Sequence, residues 1–517
     1  MHYPYQNLYE IMTNNAKTIP KKTALLIDKE KINNQDLLAK IDAFAHFLIT
    51  QNVQVGDKVA MIVSNSAEFI ITYFAISKIG AVIVPINTML KAEEFNYILN
   101  DCGAKILIAT AKFQNECKNL IDTTQINTIV WIDKLEHYHS HDIDFAETLL
   151  ANTPSVTDNR GSTLEEMAVI LYTSGTTGKP KGAMLSNKNL FSNMIDVRER
   201  FNFKKSDRFI VFLPMFHAFT LMGSVLVPLY IGAPIVVIKN LMPFSNIIKQ
   251  SLLKRVTVFI GVPDIFNALI RAKLPWYFMW FHKIRIFVSG ASALSGDTLN
   301  KYQTKFKRTK MIEGYGLSEC SPGVAINSVE IQKPLSVGPA LNSVEVKIVN
   351  ADMIEQAAGE VGEIIVKGDN VMLGYLNRPE ATNETIVNGW LRTGDLAKKD
   401  NEGYIYIVDR IKDLIISKGL NIYPREIEEQ LNTLSYVKAC AVVGIPDEHS
   451  GEVPIAFLEL DSEEEKPELS TIRNALKKEL ANFKLPKNIY FIDELPKNAT
   501  GKVLKRVLKE NLQSYIK

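Results

Sequence analysis

The sequence predicts an α/β protein. It consists of a large, multi-layer amino-terminal domain with parallel-rich sheets and a small β-barrel-like part, followed by a small α+β carboxyl-terminal domain. Three observations lead there. At 517 residues the chain exceeds the size at which one hydrophobic core keeps growing, so two or more domains are expected. Through the first half, short apolar runs alternate with helical patterns, the signature of strands and helices stacked in layers. Near residues 340–410 the texture changes to short β-like runs with frequent glycine, and beyond Arg410 to a compact piece of about one hundred residues, an ordinary small-domain size.

Taken in order, the expected strands are Lys58–Val63, Ala81–Pro85, Lys105–Ala109, Thr128–Ile132, Met167–Leu171, Val256–Ile260 and Ile284–Val288, with Lys310–Glu313 strand-like as well. The apolar stretch from Phe69 to Ile86 carries Lys78 and Gly80 and reads as a helix feeding a strand. Ser186-Asn187 offers a helix cap. From Phe209 to Ile238 there is no Asp, Glu, Lys or Arg, a length able to span a bilayer. Pro214, Gly223, Pro228, Gly232 and Pro234 punctuate it, however, so it reads as strand, loop, buried helix, turn and strand. Val344–Val349, Gly362–Lys367 and Gly403–Val408 are the short β runs, and Pro424 followed by Arg425-Glu426 marks a helix start. In parallel sheets ligands sit at the carboxyl ends of strands, where Tyr172, Gly261 and Ser289 would fall.

Bulk properties exclude several classes. Apolar content of 46% and charged content of 22% are those of a globular protein, and a net charge of +2 gives no reason to expect nucleic acid. Cys102, Cys117, Cys320 and Cys440 are far apart without metal-ligand spacing, which fits a reduced, cytoplasmic setting. The start, Met1-His-Tyr-Pro-Tyr-Gln, has neither a basic cluster nor an apolar run, so no signal peptide is expected. His137, His139 and His141 alternate in what reads as an exposed loop of incidental histidines.

The most informative stretch is Tyr172-Thr-Ser-Gly-Thr-Thr-Gly-Lys-Pro-Lys-Gly182. It packs three glycines, five hydroxyl side chains and two lysines into eleven residues directly after a strand. Glycines admit a close backbone approach, hydroxyls and amides donate hydrogen bonds, and lysine offsets charge, so the loop suits a polyphosphate. Only two residues separate Gly175 from Gly178, and Pro180 follows Lys179, so the spacing of the nucleotide-hydrolase loop is absent. Further along, Glu319 in Gly314-Tyr-Gly-Leu-Ser-Glu319 is a carboxylate suited to Mg2+ beside phosphates, and Tyr315 offers a flat face to a purine. Asp395, in Gly389-Trp-Leu-Arg-Thr-Gly-Asp395, can accept two hydrogen bonds from a diol. Lys502 lies in a glycine turn near the carboxyl terminus, where a mobile lysine can neutralise developing charge.

Together these motifs resemble, in order and over nearly the whole chain, the adenylate-forming superfamily of acyl-CoA synthetases, luciferases and adenylation domains. Within it, Asn388–Asp395 with Arg410, Ser289–Leu294 and Tyr315–Pro322 are most similar to bacterial long-chain-fatty-acid CoA ligases. Ser318, where the family commonly has Thr, keeps the hydroxyl. The resemblance implies an amino-terminal adenylation domain, residues 1–410, and a mobile carboxyl-terminal domain, residues 411–517, hinged at Lys412. It implies ATP, Mg2+ and coenzyme A as ligands alongside a fatty acid, which is first joined to AMP and then transferred to the thiol.

The site residues follow from the same resemblance. Thr173, Ser174, Gly175, Thr176, Thr177, Gly178 and Lys179 would hold the β- and γ-phosphates, and Glu319 the metal. Gly290, Ala291, Ser292, Glu313, Gly314, Tyr315, Gly316 and Ser318 would line the adenine side, and Asp395 and Arg410 the ribose. Lys502 would serve the reacting groups, His217 would border the acyl site, and Ser417, Lys418 and Gly419 would serve the second step. The uncharged 209–238 segment is a candidate acyl lining. In Leu274-Pro-Trp-Tyr-Phe-Met-Trp-Phe-His-Lys283 the aromatics read as a buried helix, with docking at the inner face of a membrane as the other reading. A homodimer stays open. So do an acyl-AMP ligase loading a carrier protein, a CoA ligase for a shorter or aromatic acid, a transport protein built on 209–238, and a non-catalytic binding module.

Overall fold

The computed structural model describes residues 2–151, 161–173, 179–239, 242–292, 294–461, 466–498 and 501–515. Among these, two eight-stranded sheets form the bulk of the protein. One runs in the order Gly323–Ile326, Lys310–Gly316, Ile286–Ser289, Val258–Gly261, Phe209–Val211, Ile235–Val237, Thr23–Ile27, Glu30–Asn33. The other runs Gly374–Tyr375, Lys181–Ser186, Met167–Thr173, Val82–Pro85, Lys58–Ile62, Ile106–Ala109, Thr128–Trp131, Asp142–Asp144. Pairing is parallel through the middle of both; the first sheet is antiparallel at both ends, and the second is antiparallel only at the end carrying Gly374–Tyr375 and Lys181–Ser186.

The strand sequences account for this layering. Their side chains alternate between faces, and both faces are buried, so the runs are apolar throughout. Val258, Ile260, Ile286 and Val288 enter the core between the sheets, while Phe259 and Phe287 enter a second core behind the first sheet. Val59, Met61, Val169 and Leu171 likewise face the shared core, and Ala60, Ile62 and Ile170 a third core behind the second sheet. Helices Asn34–Thr50, Ala67–Lys78 and Asn187–Arg200 supply apolar residues to the shared core. Ser186 caps the last of these, its side chain accepting from the Asn189 N–H.

The uncharged stretch resolves as expected into strand Phe209–Val211, a helical passage over residues 218–231 with a π turn at Leu221–Leu226, and strand Ile235–Val237. No helix among the described residues is long and apolar enough to cross a membrane. The β-rich part is a sheet of Val344–Val349, Gly362–Gly368, Trp390–Lys399 and Ile386–Val387, with Ile405–Arg410 beside Trp390–Lys399. After a single 3-10 turn, Ile411–Asp413, strand Ile415–Ser417 belongs to another sheet, which carries Val437–Asp447, Gly451–Leu460 and Asn488–Phe491. Helix Pro424–Leu431 starts at the proline. The four cysteines are free.

The segment Trp276–Phe281 is helical, as the pattern suggests, but it is not a buried helix. Trp276 and Trp280 are each 71% exposed and Phe281 61%, with only Phe278 enclosed. Hydrophobic composition favours burial on average, but this helix lies on the outer surface of the second core, where one face is all that can be covered.

Candidate active site

Parallel strands end at the site. Gly261 pairs with Ser289, and Ser289 with Glu313, at the carboxyl ends of adjacent strands. The Gly290–Ser292 turn and the Gly314–Glu319 segment leave from there. Two of its glycines are fixed by close approach. A Cβ at Gly316 would lie 2.0 Å from the Pro322 carbonyl oxygen, and one at Gly290 would lie 2.7 Å from the Phe219 ring. Ala291 holds a positive φ of 66° in the turn.

These strand ends, the β-rich part and the carboxyl-terminal domain enclose one cavity of about 1830 Å3. Its walls bring together Thr173, His217, Gly290, Ala291, Ser292, Glu313, Gly314, Tyr315, Gly316, Ser318, Glu319, Asp395, Arg410, Lys412 and Lys502, which lie far apart in sequence. Ser174, Gly175, Thr176, Thr177 and Gly178 lie outside the described residues. Lys179 is exposed, its ammonium 5.5 Å from the centre of the Tyr97 ring. Ser417, Lys418 and Gly419 are not part of the wall. They form the tight turn between strands Ile415–Ser417 and Leu420–Ile422, with Lys418 and Gly419 both at positive φ.

Asp395 organises the wall nearest the β-rich part. Tyr315 donates its hydroxyl to Asp395 Oδ2 at 2.7 Å, and Arg410 Nε meets Oδ1 at 3.0 Å. A carboxylate has about four acceptor directions, so both oxygens keep capacity for a ligand. Burial and the Asp395 charge hold the Tyr315 phenol far above its ordinary range, so it stays a donor. Glu319 accepts from Tyr375 at 2.9 Å and from Thr173 at 3.4 Å. Tyr375 was not apparent in the sequence, since the two-residue strand Gly374–Tyr375 carries too short a signal.

Further cations gather near the Asp395–Arg410 pair. Burial, with Arg410 and then Lys412 adding to it, pushes the Lys502 ammonium down to about 8. His217 is pushed down to about 4 by burial and by the charge of Lys502, so its imidazole is neutral near pH 7. Its Nδ1 accepts from the Phe219 N–H at 3.3 Å, which leaves the ring proton on Nε2. Glu313 is raised to about 7 by burial, against the pull of Arg425. The Lys502 turn is anchored beside the cavity: Lys497 pairs with Asp264 at 2.9 Å, and Gly501 approaches the same carboxylate. Asp264 is a second residue that no local pattern revealed.

A network behind Thr173 was also hidden. Tyr172 donates to Asp101 Oδ2 at 2.7 Å, and Arg378 holds Oδ1 at 3.1 Å while also donating to Tyr97. It ties the base of the phosphate-type loop to two distant segments. Among the described residues, no group of three or more His, Cys, Asp and Glu could hold a metal by itself, the three alternating histidines included.

Glu319, the Asp395–Arg410 pair and Lys502 facing one cavity suit a nucleotide-activating site, and comparison with known proteins decides which kind. Residues 12–376 match the model described as AMP-binding enzyme, and residues 426–502 match AMP-binding enzyme C-terminal domain. The chain belongs to the AMP-binding enzyme family. It is 30% identical to a long-chain-fatty-acid CoA ligase of Salmonella typhimurium strain LT2, over 99% of this chain and 96% of that one. It is also 32% identical to a feruloyl-CoA synthase of Amycolatopsis sp, over 95% and 96%. The crystal structure of the anthranilate CoA ligase AuaEII in complex with anthranoyl-AMP superimposes with a TM-score of 0.91 at 26% identity, covering 99% of both chains. As an AMP-binding enzyme of the adenylate-forming superfamily, this chain is an AMP-forming acyl-CoA synthetase that uses ATP.

Proposed function

We propose that the acid activated is a long-chain fatty acid. The observation that carries this is the character of one cavity wall. Between residues 193 and 263 the described lining includes no Asp, Glu, Lys or Arg, and Val197, Phe201, Phe203, Phe216, Phe219, Met222 and Ile260 supply most of its side chains. The Asn193 amide in that wall is occupied, donating to the Gly323 carbonyl and accepting from its N–H. Such a wall offers burial to methylenes and nothing to a second charge. The Phe201 and Phe203 rings, 4.9 Å apart, close this end, with Arg285 and its partner Asp207 behind Phe203.

The residues take the following roles in this reading. The 172–182 loop, including Lys179, receives the β- and γ-phosphates. Asp395 and Arg410 hold the ribose, and Tyr315 with Gly290-Ala-Ser292, Glu313, Gly314, Gly316 and Ser318 surrounds the adenine. Glu319 is the carboxylate for Mg2+; a single carboxylate suits that ion, which keeps waters and phosphate oxygens as its other ligands and supplies charge neutralisation when bound. In the first step a carboxylate oxygen forms a bond to the α-phosphorus, and the bond to the pyrophosphate oxygen breaks. An anion must approach a tetra-anion, so charge and positioning are the obstacles. The Lys502 ammonium lies beside His217 and Arg410, where carboxylate and α-phosphate would meet, and can neutralise both. Neutral His217 borders the carboxylate without adding charge.

In the second step the coenzyme A thiol attacks the acyl carbon and AMP leaves. The proposal divides the chain at 410/411, pivots it at Lys412, and brings Ser417-Lys418-Gly419 to the site as Lys502 withdraws. Two features are in keeping with it: the change of sheet across Ile411–Asp413, and a cavity lining that includes Lys502 but not that turn. The test is pyrophosphate release from acids running from acetate to arachidate, with benzoate and ferulate alongside, each with and without coenzyme A. kcat/KM should climb with chain length, by up to about fourfold per buried methylene. A higher kcat/KM for ferulate or benzoate than for any fatty acid would refute the assignment.

A further inference from the structure

We propose that the helix Trp276–Phe281 docks the enzyme on an anionic lipid surface. Trp276 and Trp280, 71% exposed, with Tyr277 at 46% and Phe281 at 61%, put four aromatic side chains on one turn and a half of helix. Globular surfaces scatter single apolar residues, but they seldom group large aromatics in this way. The helix is held firmly from beneath. Phe278 is buried in the second core and stacks on His282 with ring centres 5.3 Å apart, and Arg308 donates to the Met279 and Trp280 carbonyls. Exposed Leu253 ends the helix Phe244–Leu253, which packs against this one.

Charge identifies the occupant. Residues 242–255, 271–285 and 301–310 hold three, four and five Lys or Arg respectively, and no Asp or Glu. Some are already engaged: Arg271 in an exposed pair with Asp461, Arg285 with the buried Asp207, and Lys305 with the carbonyls of Leu269, Ile270 and Ala272. Lys273, Lys283 and Arg308 remain exposed around the aromatic helix. Tryptophan and tyrosine favour the headgroup level, and lysine and arginine favour anionic headgroups, so the two chemistries together fit a membrane interface. A second copy of the same patch would bring like charges together, since these segments carry no carboxylate to offset them. The location also serves the cavity. Helix Pro263–Arg271, whose Asn267 and Ile270 line it, is joined to the aromatic helix by the short extended link 272–275.

The test is co-sedimentation of the full chain with vesicles of phosphatidylcholine plus phosphatidylglycerol, and with phosphatidylcholine alone. Wild type should bind the mixed vesicles, release at high salt and blue-shift its tryptophan emission. Trp276→Ser with Trp280→Ser should abolish binding. Lys273→Glu and Lys283→Glu should each weaken it by about fivefold or more. Pyrophosphate release from octanoate, a soluble acid, should be unchanged in all of them, which certifies their fold. Failure of wild type to bind mixed vesicles, or equal binding by the variants, would overturn the proposal. So would a wild-type dimer that the tryptophan changes dissociate. Lipid binding is read without a substrate, so the outcome is independent of the chain length of the acid.

Discussion

Raising the pH across the Lys502 titration should switch off adenylate formation and leave thioester formation intact. Lys502 titrates at about 8 in the docked arrangement, against 10.5 for a solvated lysine. Its pKa is lowered, so the ammonium is present below about pH 8 and is lost above it. The charged fraction falls from about nine-tenths at pH 7 to about one-tenth at pH 9. kcat/KM for pyrophosphate release, which reports the free enzyme, should therefore fall about tenfold over that interval. The same shift means that docking the charged lysine without nucleotide costs on the order of 3 kcal/mol below pH 8, a cost that fades toward pH 10.5 and that anionic ATP would offset. His217, neutral above about pH 4, contributes nothing to this limb. Lys502→Arg keeps its charge throughout, so its slower reaction should lose the alkaline limb. An alkaline fall that persists in Lys502→Arg, or that appears equally in thiolysis of supplied acyl-AMP, would refute the reasoning.

Other changes act on neighbouring walls. Asp395→Asn removes the charge that Arg410 meets and should weaken AMP binding by about 10-fold or more in calorimetry, since the guanidinium loses its ionic partner. Gly316→Ala places a methyl against the Pro322 carbonyl, a backbone atom that cannot turn aside, so a loss of at least about 1 kcal/mol and a lower Tm are expected. Asp264→Ala frees Lys497 and should slow adenylate formation by no more than about fivefold, because the pair is partly exposed, while sparing thiolysis. Phe203→Ala opens the closed end of the apolar wall and should move the preferred acid to a longer chain in the pyrophosphate assay.

Much of this was legible in the sequence because the relevant signals are local. A strand buried on both faces writes itself as a continuous apolar run, as in Ile286–Ser289, and a phosphate-type loop as dense glycine and hydroxyl after such a run. The order of Thr173, Glu319, Asp395, Arg410 and Lys502 pointed to one site, and their side chains do meet in one cavity. What stayed hidden depends on tertiary contact. Asp101 and Arg378 lie 277 positions apart, as do Lys497 and Asp264 by 233, and no periodicity records such pairs. The aromatic helix failed for a related reason: composition states what a side chain prefers, whereas its position on the outer face of the second core decides whether anything covers it.

In the proposed mechanism Lys502 is lent by one domain to the other for a single step. The direct measurement is the two half-reactions of Lys502→Ala, assayed separately: pyrophosphate release from ATP and palmitate, and thioester formation from supplied palmitoyl-AMP and coenzyme A. The account predicts that the first falls by about 10²–10³-fold or more while the second stays near wild type. An equal fall in both would contradict it.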